Sequence, residues 1–332
     1  MRGDVRSCKI FNRVNGQLAM KPIITLTLNP TIDGSAEAER IQPLLKIRTS
    51  DERYHPGGGG INVARVVQEL GGEALAIYLS GGATGAILDD LLKTVGIDTR
   101  HIPINGYTRI AHTVFERSSG QEYRFVPEGP EVSDNEFAAC LAVLEALDFD
   151  YIVASGTVPR GLPVDAYQRV SEIAARKHAR FILDTCGATL RATLGHGVFM
   201  IKPNLGELEE LVGHVLISTG AQVAAARNLI ANNAAEIIAV TLGSDGALIV
   251  SKNEAWNVAV PPVTAHSAVG AGDSFVGGIT LAFARGGSLK VALAYGVAAG
   301  TAAVMSPGAE LCLAKDVNRL FDTIRSNVIG VD

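Results

Sequence analysis

Ile23-Ile24-Thr25-Leu26-Thr27-Leu28 and Ala74-Leu75-Ala76-Ile77-Tyr78-Leu79 are short apolar runs, and between them residues 61–70 repeat their apolar positions at helical spacing. The same alternation continues outward. Further strand patterns lie at 151–154, 180–183, 198–201, 237–241 and 247–250, and helical ones at 86–94, 134–147, 164–178, 205–212 and 221–232. Strand and helix in turn predict a mainly parallel sheet with helices on both faces. Residues 270–324 read as helices alone, broken near Gly286-Gly287 and Ser306-Pro307-Gly308.

Two stretches depart from this pattern. Residues 34–56 and 106–127 are polar and alternating, as in His112-Thr113-Val114-Phe115-Glu116 and Tyr123-Arg124-Phe125-Val126, with Ser118-Ser119-Gly120 as the turn between them. They predict a small four-stranded accessory sheet, a lid, whose uncovered face favours a homodimer. Residues 1–20 are basic and irregular and receive no fold role, whereas 21–330 read as one domain. The segment before Met20 has no continuous apolar core and does not read as a signal peptide.

The 332 residues are 47% hydrophobic and 19% charged, the profile of an ordered enzyme. A net charge of -5 argues against nucleic-acid or anionic-membrane partners. If the ligands are anions, positive charge has to be concentrated locally. Cys8, Cys140, Cys186 and Cys312 form no CxxC pair and read as reduced thiols of a cytoplasmic protein. The uncharged run 291–309 is rich in Ala, Gly and Val and broken by Ser306-Pro307-Gly308, which suits a buried helix better than a membrane span.

Four segments carry possible chemistry. Val269-Gly270-Ala271-Gly272-Asp273-Ser274-Phe275 precedes an apolar helix. Small residues let the backbone approach a ligand, and the unbonded N–H groups of a helix start face an anion. An aspartate there can take a proton from a hydroxyl while the amides stabilise a transferring phosphoryl group. Taken alone, the segment reads more simply as a glycine turn with a capping aspartate. In His55-Pro56-Gly57-Gly58-Gly59-Gly60-Ile61-Asn62-Val63-Ala64-Arg65, four glycines enter a helix one turn before a polar side chain, which suits a hydroxylated ligand. The spacing is not GxGxxG and no strand pattern runs directly into it, so a dinucleotide loop is disfavoured. There is no GxxxxGK[ST] segment either.

Lys202-Pro203-Asn204-Leu205-Gly206-Glu207 puts Asn204 and Glu207 on one face of a helix start, next to a possible hydrated Mg²⁺. A capping box explains the spacing equally well and is the simpler reading. Thr241-Leu242-Gly243-Ser244-Asp245-Gly246 is, in isolation, a hairpin turn.

In this order, with Asn29-Pro30-Thr31-Ile32-Asp33 and Ser155-Gly156-Thr157-Val158-Pro159-Arg160-Gly161, these segments resemble the phosphofructokinase B family of ribokinase-like carbohydrate kinases over residues 21–324. The resemblance implies a three-layer α/β/α sandwich with a mainly parallel central sheet and a small β lid. It also implies an ATP-dependent kinase acting on a sugar phosphate. Relatives using fructose 1-phosphate or tagatose 6-phosphate tend to carry a lysine where Gly59 stands. The chain therefore looks more like the branch that converts fructose 6-phosphate to fructose 1,6-bisphosphate in glycolysis. A tagatose-6-phosphate kinase or 1-phosphofructokinase is the nearest alternative. A nucleoside or neutral-sugar kinase and a non-catalytic sugar-phosphate sensor are further ones.

By the same resemblance, Asp273 is the general base, and the amides of Gly270, Ala271, Gly272 and Asp273 form the anion hole. Asp33, Gly58, Asn62 and Thr157 hold sugar hydroxyls, and Lys46, Arg109 and Arg124 hold the sugar phosphate. ATP falls on Lys202, Asn204, Thr241, Gly243, Gly246, Ala265, Val297 and Thr301. Mg²⁺ falls near Asn204 and Glu207 through water, and K⁺ near Ser267, Val269, Ala303, Ser306 and Gly308. Two places differ from the relatives this chain most resembles: Gly206 replaces a lysine, and Gln42 replaces an aromatic residue. Both are associated there with inhibition by a second ATP, so that regulation is not expected in the same form.

Overall fold

A computed structural model describes residues 20–306 and 310–331. The expectations for residues 1–19, including Cys8, and for Gly308 lie outside the described residues. In chain order the elements are β1 (Ile23–Thr27), β2 (Thr31–Ala38), β3 (Thr49–Gly57), α1 (Gly59–Glu69), β4 (Ala74–Ser80), α2 (Gly82–Val95), β5 (Asp98–Pro103), β6 (Arg109–Glu116) and β7 (Gln121–Phe125). Then follow α3 (Asp134–Ala146), β8 (Tyr151–Ser155), α4 (Ala166–Arg176), β9 (Arg180–Asp184), α5 (Gly187–Thr193), β10 (Met200–Ile201), α6 (Leu205–Val212), α7 (Thr219–Ala231) and β11 (Ile237–Thr241). The chain ends with β12 (Ala247–Ser251), β13 (Ala255–Val258), α8 (Ala271–Ala284), α9 (Leu289–Val304), α10 (Ala314–Ser326) and β14 (Ile329–Gly330).

The central sheet runs β14-β13-β12-β11-β10-β9-β8-β1-β4-β5. It is parallel from β11 to β5 and antiparallel beyond β11. Successive side chains of a strand point to opposite faces, so each strand serves two cores. Ile23 and Val153 face the core built with α1, α8, α9 and α10. Ile24 and Ile152 face the one built with α3, α4, α6 and α7. Burying each such aliphatic side chain contributes about 1.5–3 kcal/mol, which is what holds the three layers together. The uncharged run that might have suggested a membrane is α9, with residues 292–299 all buried. Among the described residues no helix is long and apolar enough to cross a membrane.

The smaller sheet runs β3-β2-β6-β7, with β2 and β6 parallel and the outer pairs antiparallel. The Ser118-Ser119-Gly120 turn joins β6 to β7 as expected. Glu116, at the end of β6, is buried and accepts hydrogen bonds from Ile41 N at 2.7 Å and from the Ser119 hydroxyl. It thereby ties the β2–β3 loop to the hairpin. Arg109 braces the two places where the chain crosses between core and lid. Its guanidinium donates to Asn29 O at 2.8 Å, to Pro30 O at 3.4 Å and to Pro127 O at 2.9 Å.

Three expectations need correction. A strand does run directly into the glycine segment: β3 ends at Gly57, and α1 begins at Gly59. Its exposed polar sequence, Thr49 to Tyr54, carries no apolar run to mark it. The lid begins at Thr31, ahead of the 34–56 stretch, so Asp33 belongs to a lid strand. The strands β5, β13 and β14 escaped the pattern because they lie at or near the sheet edges, where burial on both faces is not imposed.

Candidate active site

The carboxyl ends of β1, β8 and β9 meet the starts of α1 and α8, the crevice where open α/β sheets bind ligands. Gly58 caps α1 without a side-chain bond, and Ile61 N donates to Thr27 Oγ1 at 2.9 Å, which presses the glycine segment onto β1. It touches β8 as well. A Cβ on Gly59 would lie 2.0 Å from Ser155 Oγ and 2.8 Å from Ser155 Cβ. A side chain there, lysine included, requires Ser155 to move. Gly59→Ala is accordingly expected to cost about 1–3 kcal/mol of stability, read as a lower melting temperature in thermal unfolding. An unchanged melting temperature would show that Ser155 yields freely.

At α8, Gly270 adopts φ 74°, and a Cβ on it would meet Leu311 Cδ2 at 2.5 Å. This turn aims the helix start at the crevice. Ser274 N returns to Gly270 O at 2.8 Å and Ala271 N reaches Ala268 O at 3.4 Å, while no acceptor in the described chain takes the amides of Gly272 and Asp273. Lys202 adds a cation beside them, its Nζ 3.6 Å from where a Cβ on Gly272 would stand. The Asp273 carboxylate accepts from Asn62 Nδ2 at 2.8 Å. Its pKa is pushed up to about 7, chiefly by burial and then by the Asp184 charge, with Asn62 and Lys202 opposing.

Asp184 was not singled out from the sequence, yet it organises this corner. It closes β9, with Oδ1 3.2 Å from Lys202 Nζ and Oδ2 accepting from Ser155 Oγ at 3.3 Å. Burial presses the Lys202 pKa down, but Asp184, then Glu207 and Asp273, outweigh it and raise the value. The available signal was an acidic residue ending the buried run Phe181-Ile182-Leu183, at the carboxyl end of a parallel strand.

Between lid and α8 start lies a cavity of about 330 Å³ lined by Asp33, His55, Arg124, Ser267 and Val269, among others. Burial raises the Asp33 pKa, opposed by the charges of Arg124 and then Arg109. The Arg124 side chain has no hydrogen-bond partner among the described residues, while its backbone belongs to the β6–β7 ladder. Arg109 is different: the brace to three carbonyls takes three of the five N–H donors of a guanidinium. Lys46 stands exposed on the β2–β3 loop and does not line the cavity. Thr157 is exposed and accepts from Asn29 Nδ2 at 3.2 Å.

On the other side of Lys202, Asn204 and Glu207 form a reciprocal capping box, so the simpler reading of their spacing holds. Thr241, Gly243 and Gly246 form the turn from β11 to β12, with Leu242 N donating to Gly246 O at 2.8 Å. Ala265 is exposed on the loop before α8, and Val297 and Thr301 are buried on α9. The Thr301 hydroxyl is buried without a partner among the described residues. The amides of His266 and Ser267 donate to Val304 O, which brings the Ser267–Val269 loop against the end of α9 carrying Ala303 and Ser306. The Ser306 hydroxyl itself donates to Leu311 O at 3.1 Å.

This geometry sets a buried carboxylate beside two free helix-start amides and a lysine at the edge of a mainly parallel sheet, and comparison with known proteins gives the class of the chain. The profile described as "pfkB family carbohydrate kinase" matches residues 26–316, and the chain belongs to that family. It is 42% identical over 302 residues to the ATP-dependent 6-phosphofructokinase isozyme 2 of Mycobacterium tuberculosis, covering 90% of this chain and 89% of the relative. It is 34% identical over 305 residues to the 1-phosphofructokinase of Borreliella burgdorferi, covering 91% and 97%. Phosphofructokinase-2 from Escherichia coli, solved in complex with potassium, superimposes with a TM-score of 0.88 at 35% identity, covering 91% of this chain and 99% of that one. The same enzyme in complex with fructose-6-phosphate gives 0.87.

Proposed function

We propose that this carbohydrate kinase transfers the γ-phosphoryl group of ATP to the C1 hydroxyl of fructose 6-phosphate, giving fructose 1,6-bisphosphate. The observation that carries the reading is the meeting of the Asp273 carboxylate with two unbonded amides, in a crevice that opens toward Arg124 on the lid. Asp273 takes the hydroxyl proton as the oxygen attacks. The Gly272 and Asp273 amides and Lys202 stabilise the charge on the phosphoryl group in flight. Asp33, Gly58, Asn62 and Thr157 hold the sugar hydroxyls. Arg124, with the remaining donors of Arg109 and with Lys46 on its loop, receives the 6-phosphate. Closure of the lid keeps water from competing with the sugar.

ATP would lie along Lys202, Asn204, the Thr241–Gly246 turn, Ala265, Val297 and Thr301, where the unpartnered Thr301 hydroxyl suits a polar ligand. A Mg²⁺ ion at this site would keep mostly water and phosphate ligands. When bound it supplies neutralisation of the phosphates, with Asn204 and Glu207 facing its waters. The adjoining ends of α9 and the Ser267–Val269 loop would offer K⁺ their backbone carbonyls. Tyr54 and Phe125, in one cross-strand row on the lid face away from the cavity, leave apolar surface exposed there, which favours a homodimer.

The test is a coupled assay of sugar bisphosphate formation across fructose 6-phosphate, fructose 1-phosphate and tagatose 6-phosphate. Fructose 6-phosphate is expected to lead in kcat/KM by at least about tenfold. A reversed order would reassign the substrate, and no ATP consumption with any of the three would remove the kinase reading.

A further inference from the structure

The glycine segment ends in Arg65, a residue the proposed reaction leaves without a task. It lies one turn beyond Asn62 on α1 and is partly buried. Its guanidinium donates to Asn62 Oδ1 and to Pro56 O, each at 3.1 Å. Asn62 in turn donates its amide nitrogen to Asp273 at 2.8 Å. The three side chains form a single line from α1 to the start of α8.

The chemistry of the groups dictates the direction of this line. A guanidinium has donors only, and an ionised carboxylate acceptors only. An asparagine between them satisfies both only with its oxygen toward Arg65 and its nitrogen toward Asp273. Were the amide reversed, oxygen would face carboxylate and nitrogen would face guanidinium. Both contacts would then repel at a site that excludes most water.

We propose that Arg65 is a positioning residue for phosphoryl transfer: by fixing the Asn62 amide, it holds the Asp273 carboxylate ionised and aimed at the attacking hydroxyl. The proposal rests on the reading of Asp273 as the base. The charges facing Asp273 fit this role. Asp184 at the end of β9 and Asp33 on β2 disfavour its ionised form, whereas Lys202 after β10 supports it. Arg65 interacts favourably with both Asp273 and Asp33. Burial leaves the Arg65 guanidinium less stable as a cation than usual, a cost those two carboxylates offset.

The bond to Pro56 O gives Arg65 a second tie, to the end of β3, so a purely structural role predicts a different outcome. Loosening β3 would disturb the sugar cavity and raise KM. Loss of amide orientation would lower kcat instead. The experiment measures kcat and KM for fructose 6-phosphate in wild type, Arg65→Met, Arg65→Lys, Asn62→Leu and the double variant Asn62→Leu/Arg65→Met. Arg65→Met is expected to lower kcat by about 10- to 100-fold, the range for losing a charge-assisted hydrogen bond, with KM changed less than about threefold. Arg65→Lys, which keeps a cationic donor, should recover most of kcat. In the Asn62→Leu background the Met substitution should change kcat less than about threefold, because the amide it orients is gone.

A loss carried by KM, or losses that multiply in the double variant, would overturn the proposal. Should Arg65→Met not fold, Arg65→Gln, which removes the cation but keeps a polar side chain, decides it in both backgrounds by the same non-additivity: losses that multiply reject the coupling. A wild-type chain that turns over no sugar phosphate removes the underlying kinase reading. Turnover with kcat unchanged in Arg65→Met removes only the Arg65 assignment.

Discussion

Asp273→Asn is expected to lower kcat by about 1,000-fold or more, the upper part of the range for removing a positioned base, while ATP binding changes little. The substitution keeps size and polarity and removes only the capacity to accept a proton. The wild-type pH profile should carry the same signature. Only the ionised carboxylate can act as base, and its pKa sits near about 7 through burial and the neighbouring Asp184. Turnover should therefore rise with pH through that value and level off above it. A rate that is flat from pH 5.5 to 8.5, with chemistry limiting, would exclude Asp273 as the base.

Stability should move the opposite way. The folded pKa lies above the ordinary value of 3.8, so folding favours the protonated form. That contribution is fully present below about pH 4 and is lost as pH rises through about 7. At pH 8 the neutral asparagine escapes the loss, and Asp273→Asn should melt about 2–5 °C above wild type. The difference should close as the pH is lowered toward 5.

The second large effect belongs to Arg124. Arg124→Met should lower kcat/KM for fructose 6-phosphate by about 100-fold, while turnover of unphosphorylated fructose, however slow, changes less than about threefold. The Arg124 side chain lines the cavity and has no hydrogen-bond partner among the described residues, whereas Arg109 already bonds three carbonyls. Equal losses with both sugars would show that Arg124 shapes the lid and does not read the phosphate. Arg109→Met should instead loosen the crossing between core and lid, affecting both substrates.

The architecture was legible because parallel strands covered on both faces must be apolar throughout. Residues 23–28, 74–79 and 237–241 therefore announced themselves, and each matches an observed strand to within one residue. β5 did not, since an edge strand is free to be polar. Glycine-rich segments advertised the starts of α1 and α8, where side chains are excluded by geometry. Asp184 and the roles of Arg109 and Arg65 could not be read in the same way. They arise from contacts between residues far apart in the chain, and a single aspartate or arginine looks alike whether it meets solvent, a carbonyl or a lysine. The Asn204–Glu207 spacing shows the converse: one local pattern reads equally as a polar ligand face or as a helix cap, and the structure shows the cap.

The continuity of β3 with α1 has a mechanical consequence. A rigid strand of the cover and the helix that presents Asn62 are consecutive stretches of backbone, with Gly58, at φ 113°, as the joint between them. Arg65 clasps Pro56 just ahead of that joint. The placement of the cover and the placement of Asn62 therefore share one short length of backbone, and neither can be reset without straining the other.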